Sequence, residues 1–245
     1  MTAIHIDIKS KTYTSPDSRQ HTAIANLKLL LPDNEFVCLV GPSGCGKTTL
    51  LNIIANLDSQ YEGEISIEGL HSAPKIGYIF QDPRLLPWRT VRENIELALP
   101  AQQPAEIIDS LLESMQLTKN QNDYPQHLSL GMSRRVAIIR AFAINPDILL
   151  MDEPFVSLDA PTARQVRDLL LDLWQQRPHT VLFVTHDLRE AITLADRLIF
   201  LSAAPMAVVS NLEVNIPRDQ RHNELTIENF RQKLLTEHPK IKQLL

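Results

Sequence analysis

A chain of 245 residues, 44 % hydrophobic and 22 % charged, can bury one large core or a core carrying an inserted lobe. Its net charge of −5, from 24 basic against 29 acidic side chains, lacks the basic excess expected of a nucleic-acid binder. Two cysteines, Cys38 and Cys45, are too few for a secreted disulfide framework and read as reduced thiols of a cytoplasmic protein. The opening MTAIHIDIKS lacks a signal peptide's apolar centre, and no apolar run reaches the ~18 residues of a membrane span, so another chain would have to hold the protein at a membrane.

In chain order, residues 4–8 alternate apolar and polar as a half-exposed strand does, and 15–20 form a polar loop. Residues 23–31 read as a second strand, closed by the turn Pro32-Asp33-Asn34. The continuous apolar run 36–40 has the pattern of a strand buried on both faces. A glycine-rich loop and the helical pattern 49–57 follow. Residues 64–68 and 75–80 read as strands around turns holding Gly63 and Gly69. From 90 to 143 the pattern is mostly helical, broken near residues 100–104 and at Pro125, with an amphipathic helix at 133–143. Strands return at 148–151 and 180–185 with a helix, 162–176, between them, and the tail from 223 carries one or two short polar helices. This alternation predicts an α/β fold, a mainly parallel sheet flanked by helices with a helical lobe inserted in the middle.

The sharpest motif is Gly41-Pro42-Ser43-Gly44-Cys45-Gly46-Lys47-Thr48, which fits G-x-x-x-x-G-K-[ST]. Three of the chain's seven glycines, Gly41, Gly44 and Gly46, stand here. They let the backbone turn tightly and aim its N–H groups at phosphate oxygens, and the following helix adds its positive end. Lys47 reaches the terminal phosphates, Thr48 offers its hydroxyl to Mg²⁺, and the binding stretch runs on to Thr49. A buried strand before the loop and a helix after it separate the motif from a chance glycine turn. Downstream, 148–151 is an apolar strand ending in Asp152-Glu153. Acids at the carboxyl end of a parallel strand sit where ligands bind in such sheets. Asp152 is the candidate Mg²⁺ ligand, and Glu153 can polarise a water for attack on the γ-phosphate.

With these residues in place the chain resembles the ATP-binding subunit of ABC transporters over nearly its whole length. Gln81, in Tyr78-Ile79-Phe80-Gln81-Asp82, is similar to the family's glutamine loop; Leu128-Ser129-Leu130-Gly131-Met132 to its signature; Ser157-Leu158-Asp159 to the loop that crosses the dimer; and Thr185-His186-Asp187 to its switch histidine. The order of six short segments carries the resemblance, since each alone is weak. It implies a P-loop NTPase core with an antiparallel β subdomain and an inserted α-helical subdomain. Residues 1–81 and 146–215 would form the nucleotide-binding core with the β subdomain, 82–145 the helical subdomain and 216–245 a short tail. It also implies that Gln81 touches Mg²⁺ and the attacking water, that His186 steadies the γ-phosphate and Glu153, and that Tyr13 stacks on adenine. Ser129 and Gly131 would meet the nucleotide held by a second copy in an ATP-sandwich dimer, and Asp159 would shape that copy's phosphate loop. Without the resemblance, Asp159 reads as a helix cap before Pro161, Gln81 as a surface glutamine, and His186 as an ordinary surface or core residue.

Residues 86–95, Leu-Pro-Trp-Arg-Thr-Val-Arg-Glu-Asn-Ile, resemble the branch that imports nitrate, sulfonates such as taurine, and thiamine precursors. In that branch the region 81–95 receives the membrane permease, and Trp88 with Arg89 and Arg92 suits an interface anchor with a polar rim. The alternative is a tryptophan packed inside the helical lobe. The resemblance implies a peripheral protein on the cytoplasmic face of the bacterial inner membrane, using ATP and Mg²⁺, with a solute-binding protein as indirect partner and no nucleic acid. Other readings are a soluble ABC ATPase of repair or translation, a small-molecule kinase, or a nucleotide-binding scaffold without turnover. Leu130 and Met132 depart from the usual Leu-Ser-Gly-Gly-Gln and are the only support for the scaffold.

Overall fold

The computed structural model describes residues 3–14, 17–69, 73–100, 104 and 106–244. The fold is α/β, and the chain divides into two compact units, Met1–Ser72 with Thr180–Leu245, and Ala73–His179.

The first unit opens with β1 (Ile4–Thr14) and β2 (Gln20–Leu31), continues through β3 (Phe36–Val40), α1 (Lys47–Ile54) and β4 (Glu62–Ile67), and resumes with β7 (Thr180–Thr185), α6 (Leu188–Leu194), β8 (Arg197–Leu201), β9 (Val208–Glu213), α7 (Glu224–Glu237) and α8 (Pro239–Lys242). The intervening second unit holds β5 (Ile76–Ile79), α2 (Val91–Glu96), α3 (Glu106–Ser114), α4 (Leu130–Ala143), β6 (Ile148–Asp152) and α5 (Ala160–Gln176).

In the first unit β1 lies between β2 and β4 in an antiparallel sheet. Ile4, Ile6 and Ile8 point inward by strict alternation. Register shifts at Ile8/Ser10 and Lys11/Thr12 then break the period of two, and the buried residue on the far side becomes Lys11. β3 runs parallel between β7 and β8, and β9 adds antiparallel to β8. Every residue of β3 and β7 is buried, as a parallel strand covered on both faces requires, and Phe36 meets Phe183 edge-on at 6.2 Å. α6 packs on β3.

In the second unit β5 and β6 pair in parallel. α4 is its centre: it touches β5, α2, α3 and α5 and buries Val136, Ile138, Ile139 and Phe142 among others. α2 starts at a capping box, Thr90 with Glu93. Several expected boundaries shift. Gly63 sits inside β4 opposite Ile8 rather than in a turn, and β4 begins at Glu62 because the glycine lets the backbone pass close to Asp7 and Ile8. The helix expected at 133–143 starts three residues earlier, because Ser129 caps it. The loop expected at 15–20 falls partly outside the described residues.

Candidate nucleotide site

The phosphate loop leaves β3 at Val40 and enters α1 at Lys47. Gly44 and Gly46 have φ of 76° and 107°, conformations that disfavour any residue with a Cβ. Gly41 is needed for space: a Cβ there would lie 3.1 Å from the Leu201 carbonyl and 3.2 Å from Cys45 Sγ. α1 has no side-chain cap and no acid in its first turn, so its leading N–H groups are left for a ligand or solvent. Lys47 is 6 % exposed, and its Nζ donates to the carbonyls of Gly41 at 2.7 Å and Pro42 at 2.9 Å. Ser43, Gly44 and Thr48 are exposed at the loop's rim, whereas Thr49 is half-buried.

Tyr13 is tied to this loop's helix. Its hydroxyl lies 3.2 Å from Thr49 Oγ1 and 3.4 Å from Asp58, and the Lys11 ammonium stands 4.6 Å from its ring centre. Lys11 in turn donates to Asp58 at 2.8 Å and to the Gln60 carbonyl at 2.7 Å. Burial pushes the Asp58 carboxyl up, but hydrogen bonds from Lys11, the Gln60 N–H and Tyr13 prevail and hold it below the ordinary value. Lys11 and Asp58 carry no motif; the sequence hint was a lysine whose position follows a break in strand alternation. His186, directly after β7, is exposed on a tight turn. Its neighbours are locked: Thr185 donates to Glu190 at 2.7 Å and accepts from the Asp187 N–H at 3.1 Å, and Asp187 caps α6.

The second unit carries the other candidates. Asp152 ends β6 and is 5 % exposed. The Tyr78 hydroxyl is pushed well above its usual pKa by burial and then by the Asp152 charge. Glu153 has φ 44°, a left-handed conformation that a glutamate rarely adopts and that recurs at functional sites. No residue preference predicts it. Gln81 is exposed just past β5. Ser129 caps α4 by accepting from the Met132 N–H at 3.2 Å. Asp159 caps α5, accepting from the Thr162 N–H at 3.0 Å and its hydroxyl at 2.7 Å, and these bonds hold its carboxyl below the ordinary value. Gly131 answers first to packing within the chain: a Cβ there would lie 2.5 Å from Thr162 Cγ2.

Trp88 is 68 % exposed, which excludes the packed alternative. Its loop is nonetheless fixed. Asn94, 1 % exposed, donates to the carbonyls of Leu86, Arg89 and Thr90 and accepts from the Leu86 N–H at 2.8 Å. Arg89 pairs with Glu93, and Arg92 with Glu96 and Asp109. Among the described residues no helix is long and apolar enough to cross a membrane, and no group of three or more His, Cys, Asp or Glu could hold a metal ion by itself.

The chain is similar to known proteins along most of its length. The family model described as ABC transporter matches residues 24–156. The aliphatic sulfonates import ATP-binding protein SsuB of Bacillus subtilis is 40 % identical over 99 % of this chain and 96 % of its own. The nitrate import ATP-binding protein NrtD of Synechococcus elongatus is 37 % identical over 93 % and 86 %. Among solved structures, the dimeric MJ0796, a bacterial ABC transporter cassette, is 32 % identical with a TM-score of 0.73, covering 87 % of this chain and all of that one. A second structure of MJ0796, bound to ADP and Pi after hydrolysis, has a TM-score of 0.74 and 31 % identity over the same shares. The phosphate loop, the acid-tipped β6 and these similarities place the chain in the ABC transporter family, as its ATPase subunit.

Proposed function

We propose that the chain powers a bacterial importer of a small anion of the sulfonate or nitrate kind, acting as a dimer at the cytoplasmic face of a membrane permease. The observation that carries this reading is similarity along nearly the whole chain to sulfonate and nitrate import subunits.

The residues take these roles. The loop from Gly41 to Gly46, with Pro42, Ser43 and Cys45, wraps the phosphates with backbone N–H groups, and Thr49 continues the contact along α1. Lys47 exchanges its two neutral carbonyl acceptors for phosphate oxygens, a gain because the new acceptors carry charge opposite to the ammonium. One carboxylate (Asp152), one hydroxyl (Thr48) and one amide (Gln81) are hard oxygen donors that suit Mg²⁺ arriving with phosphate and water. Bound there, Mg²⁺ neutralises charge that develops on the phosphates. Glu153 orients the attacking water, and His186 steadies the γ-phosphate. Tyr13 offers its exposed ring to the adenine. Ser129, Gly131 and the start of α4 serve the nucleotide of the second copy, and Asp159 shapes that copy's loop. Residues 82–145 form the helical subdomain, and the permease docks on 81–95 around Trp88. A solute-binding protein delivers the anion to the permease.

Reconstitution with the permease and binding protein in proteoliposomes tests this reading. ATP-dependent uptake of an alkanesulfonate or nitrate is expected, and Trp88→Ala should reduce uptake while the isolated subunit keeps its ATPase rate. Absence of uptake of both anions by a complex that hydrolyses ATP would overturn the importer assignment.

A further inference from the structure

One side chain grips both the segment that carries Gln81 and the turn that carries Glu153. Arg134 lies in the first turns of α4 and is 3 % exposed. Its Nη1 donates to the carbonyl of Phe80, the residue before Gln81, at 3.2 Å, and its Nη2 to the carbonyl of Val156 at 3.4 Å. The Val156 N–H donates to the Glu153 carbonyl at 3.2 Å, closing a turn in which Glu153 and Ser157 both have positive φ, 44° and 66°. Arg134 Nε has no hydrogen-bond partner among the described residues.

This arrangement is a poor device for stability. A buried guanidinium donating to two neutral carbonyls forfeits hydration that such bonds do not restore, and the nearby Asp82 charge offsets this only in part, since burial still draws the guanidinium's pKa below its usual value. An apolar side chain of similar volume would often hold the same space at least as well. What the guanidinium supplies instead is geometry: a rigid planar fork that fixes two backbone segments at once. One prong holds the base of the Gln81 segment and the other holds the left-handed turn after Asp152. The helix that presents the fork is the one capped by Ser129.

We propose that Arg134 is a positioning residue for ATP hydrolysis. It keeps the backbone at Phe80 and the Glu153–Val156 turn in fixed register, so that a change at Gln81 is transmitted to the carboxylate that orients water. The proposal rests on the roles given above to Gln81 and Glu153.

The test compares Arg134→Met, Arg134→Lys and Arg134→Gln with the wild-type full chain and with Glu153→Gln. Steady-state ATPase kinetics, nucleotide affinity and thermal midpoint are measured on each. The expected result for Arg134→Met is a kcat lower by about tenfold or more, KM for ATP within about twofold of wild type, and an unchanged or higher midpoint. Arg134→Lys, which reaches one carbonyl at a time, should recover part of kcat. A folded Arg134→Met protein with wild-type kcat overturns the proposal, as does a loss of activity that only follows a lowered midpoint. If Arg134→Met does not fold, Arg134→Lys and Arg134→Gln carry the same comparison, and failure of all three to fold assigns Arg134 to stability alone. Glu153→Gln with wild-type turnover would instead overturn the underlying assignment of the water-orienting group, and with it the route given to Arg134.

Discussion

Replacing Lys11 by Met keeps a side chain of similar length and removes one charge from a nearly closed site. Lys11 is 2 % exposed and its partner Asp58 is 20 % exposed, so the pair is shielded on the lysine side and partly open on the other. Breaking a fully buried pair costs about 3–5 kcal/mol, and the opening at Asp58 argues for the lower end, ~3 kcal/mol. For a chain of this size 1 kcal/mol moves the thermal midpoint by about 2–4 °C, so a drop of roughly 6–12 °C is expected. The cycle Lys11→Met, Asp58→Asn and the double variant apportions the effect. The double variant should be less destabilised than the sum of the singles, because each single leaves one polar group stranded. The pH dependence has a definite sign. The folded-state pKa of Asp58 is depressed, so its contribution is present above the ordinary carboxylate range and is lost as pH falls through the folded value. The gap between wild type and Lys11→Met should therefore close below about pH 4. A midpoint within 1–2 °C of wild type at neutral pH (under ~1 kcal/mol), or a strictly additive cycle, would refute the reasoning.

Gly131→Ala should destabilise by about 1–3 kcal/mol in a melting experiment, since its methyl would press on Thr162 Cγ2, whose rotamer is held by the Asp159 bond; adding Thr162→Ser, which keeps the hydroxyl and removes that methyl, should restore the midpoint. His179 is buried against Phe142, and burial lowers its pKa, so the unfolded chain takes up the proton first and stability should fall as pH drops below about 6.5. His179→Gln should flatten that fall in midpoints measured from pH 7.5 to 5.5, and an unchanged slope would discount the histidine. At the altered signature, Ser129→Arg should abolish ATP turnover, whereas Leu130→Gly with Met132→Gln should preserve or raise it, because the departures remove about one polar contact, ~1 kcal/mol.

The parts of the fold that could be read from sequence are those where local chemistry and environment agree. β3 is apolar at every position and β7 is an apolar run between two threonines, so the ends of both matched residue for residue. The phosphate loop was legible because glycine is needed there for backbone shape at Gly44 and Gly46. Other elements were missed for physical reasons. No Gly or Pro separates α6 from β8, only Ala195 and Asp196, so the sequence carries no turn signal there, and the half-exposed edge strand β9 has little apolar pattern. The bulge that turns Lys11 inward and the left-handed backbone of Glu153 arise from pairing and packing, which single-residue preferences do not encode. Asp159 caps α5, as its place before Pro161 suggests without the resemblance, whereas the cap that Ser129 supplies to α4 was not anticipated. Gly131, assigned to the facing nucleotide, is used first against Thr162.

The most direct measurement of the central claim is ATP turnover by the purified subunit with its permease in lipid, wild type against Glu153→Gln, with the oligomeric state followed in the same samples. The wild type should hydrolyse Mg²⁺-ATP continuously. Glu153→Gln should bind ATP with similar affinity, turn over at least ~100-fold more slowly and accumulate as an ATP-bound dimer. Wild-type turnover by Glu153→Gln, or a wild-type complex that binds ATP and never hydrolyses it, would contradict the account.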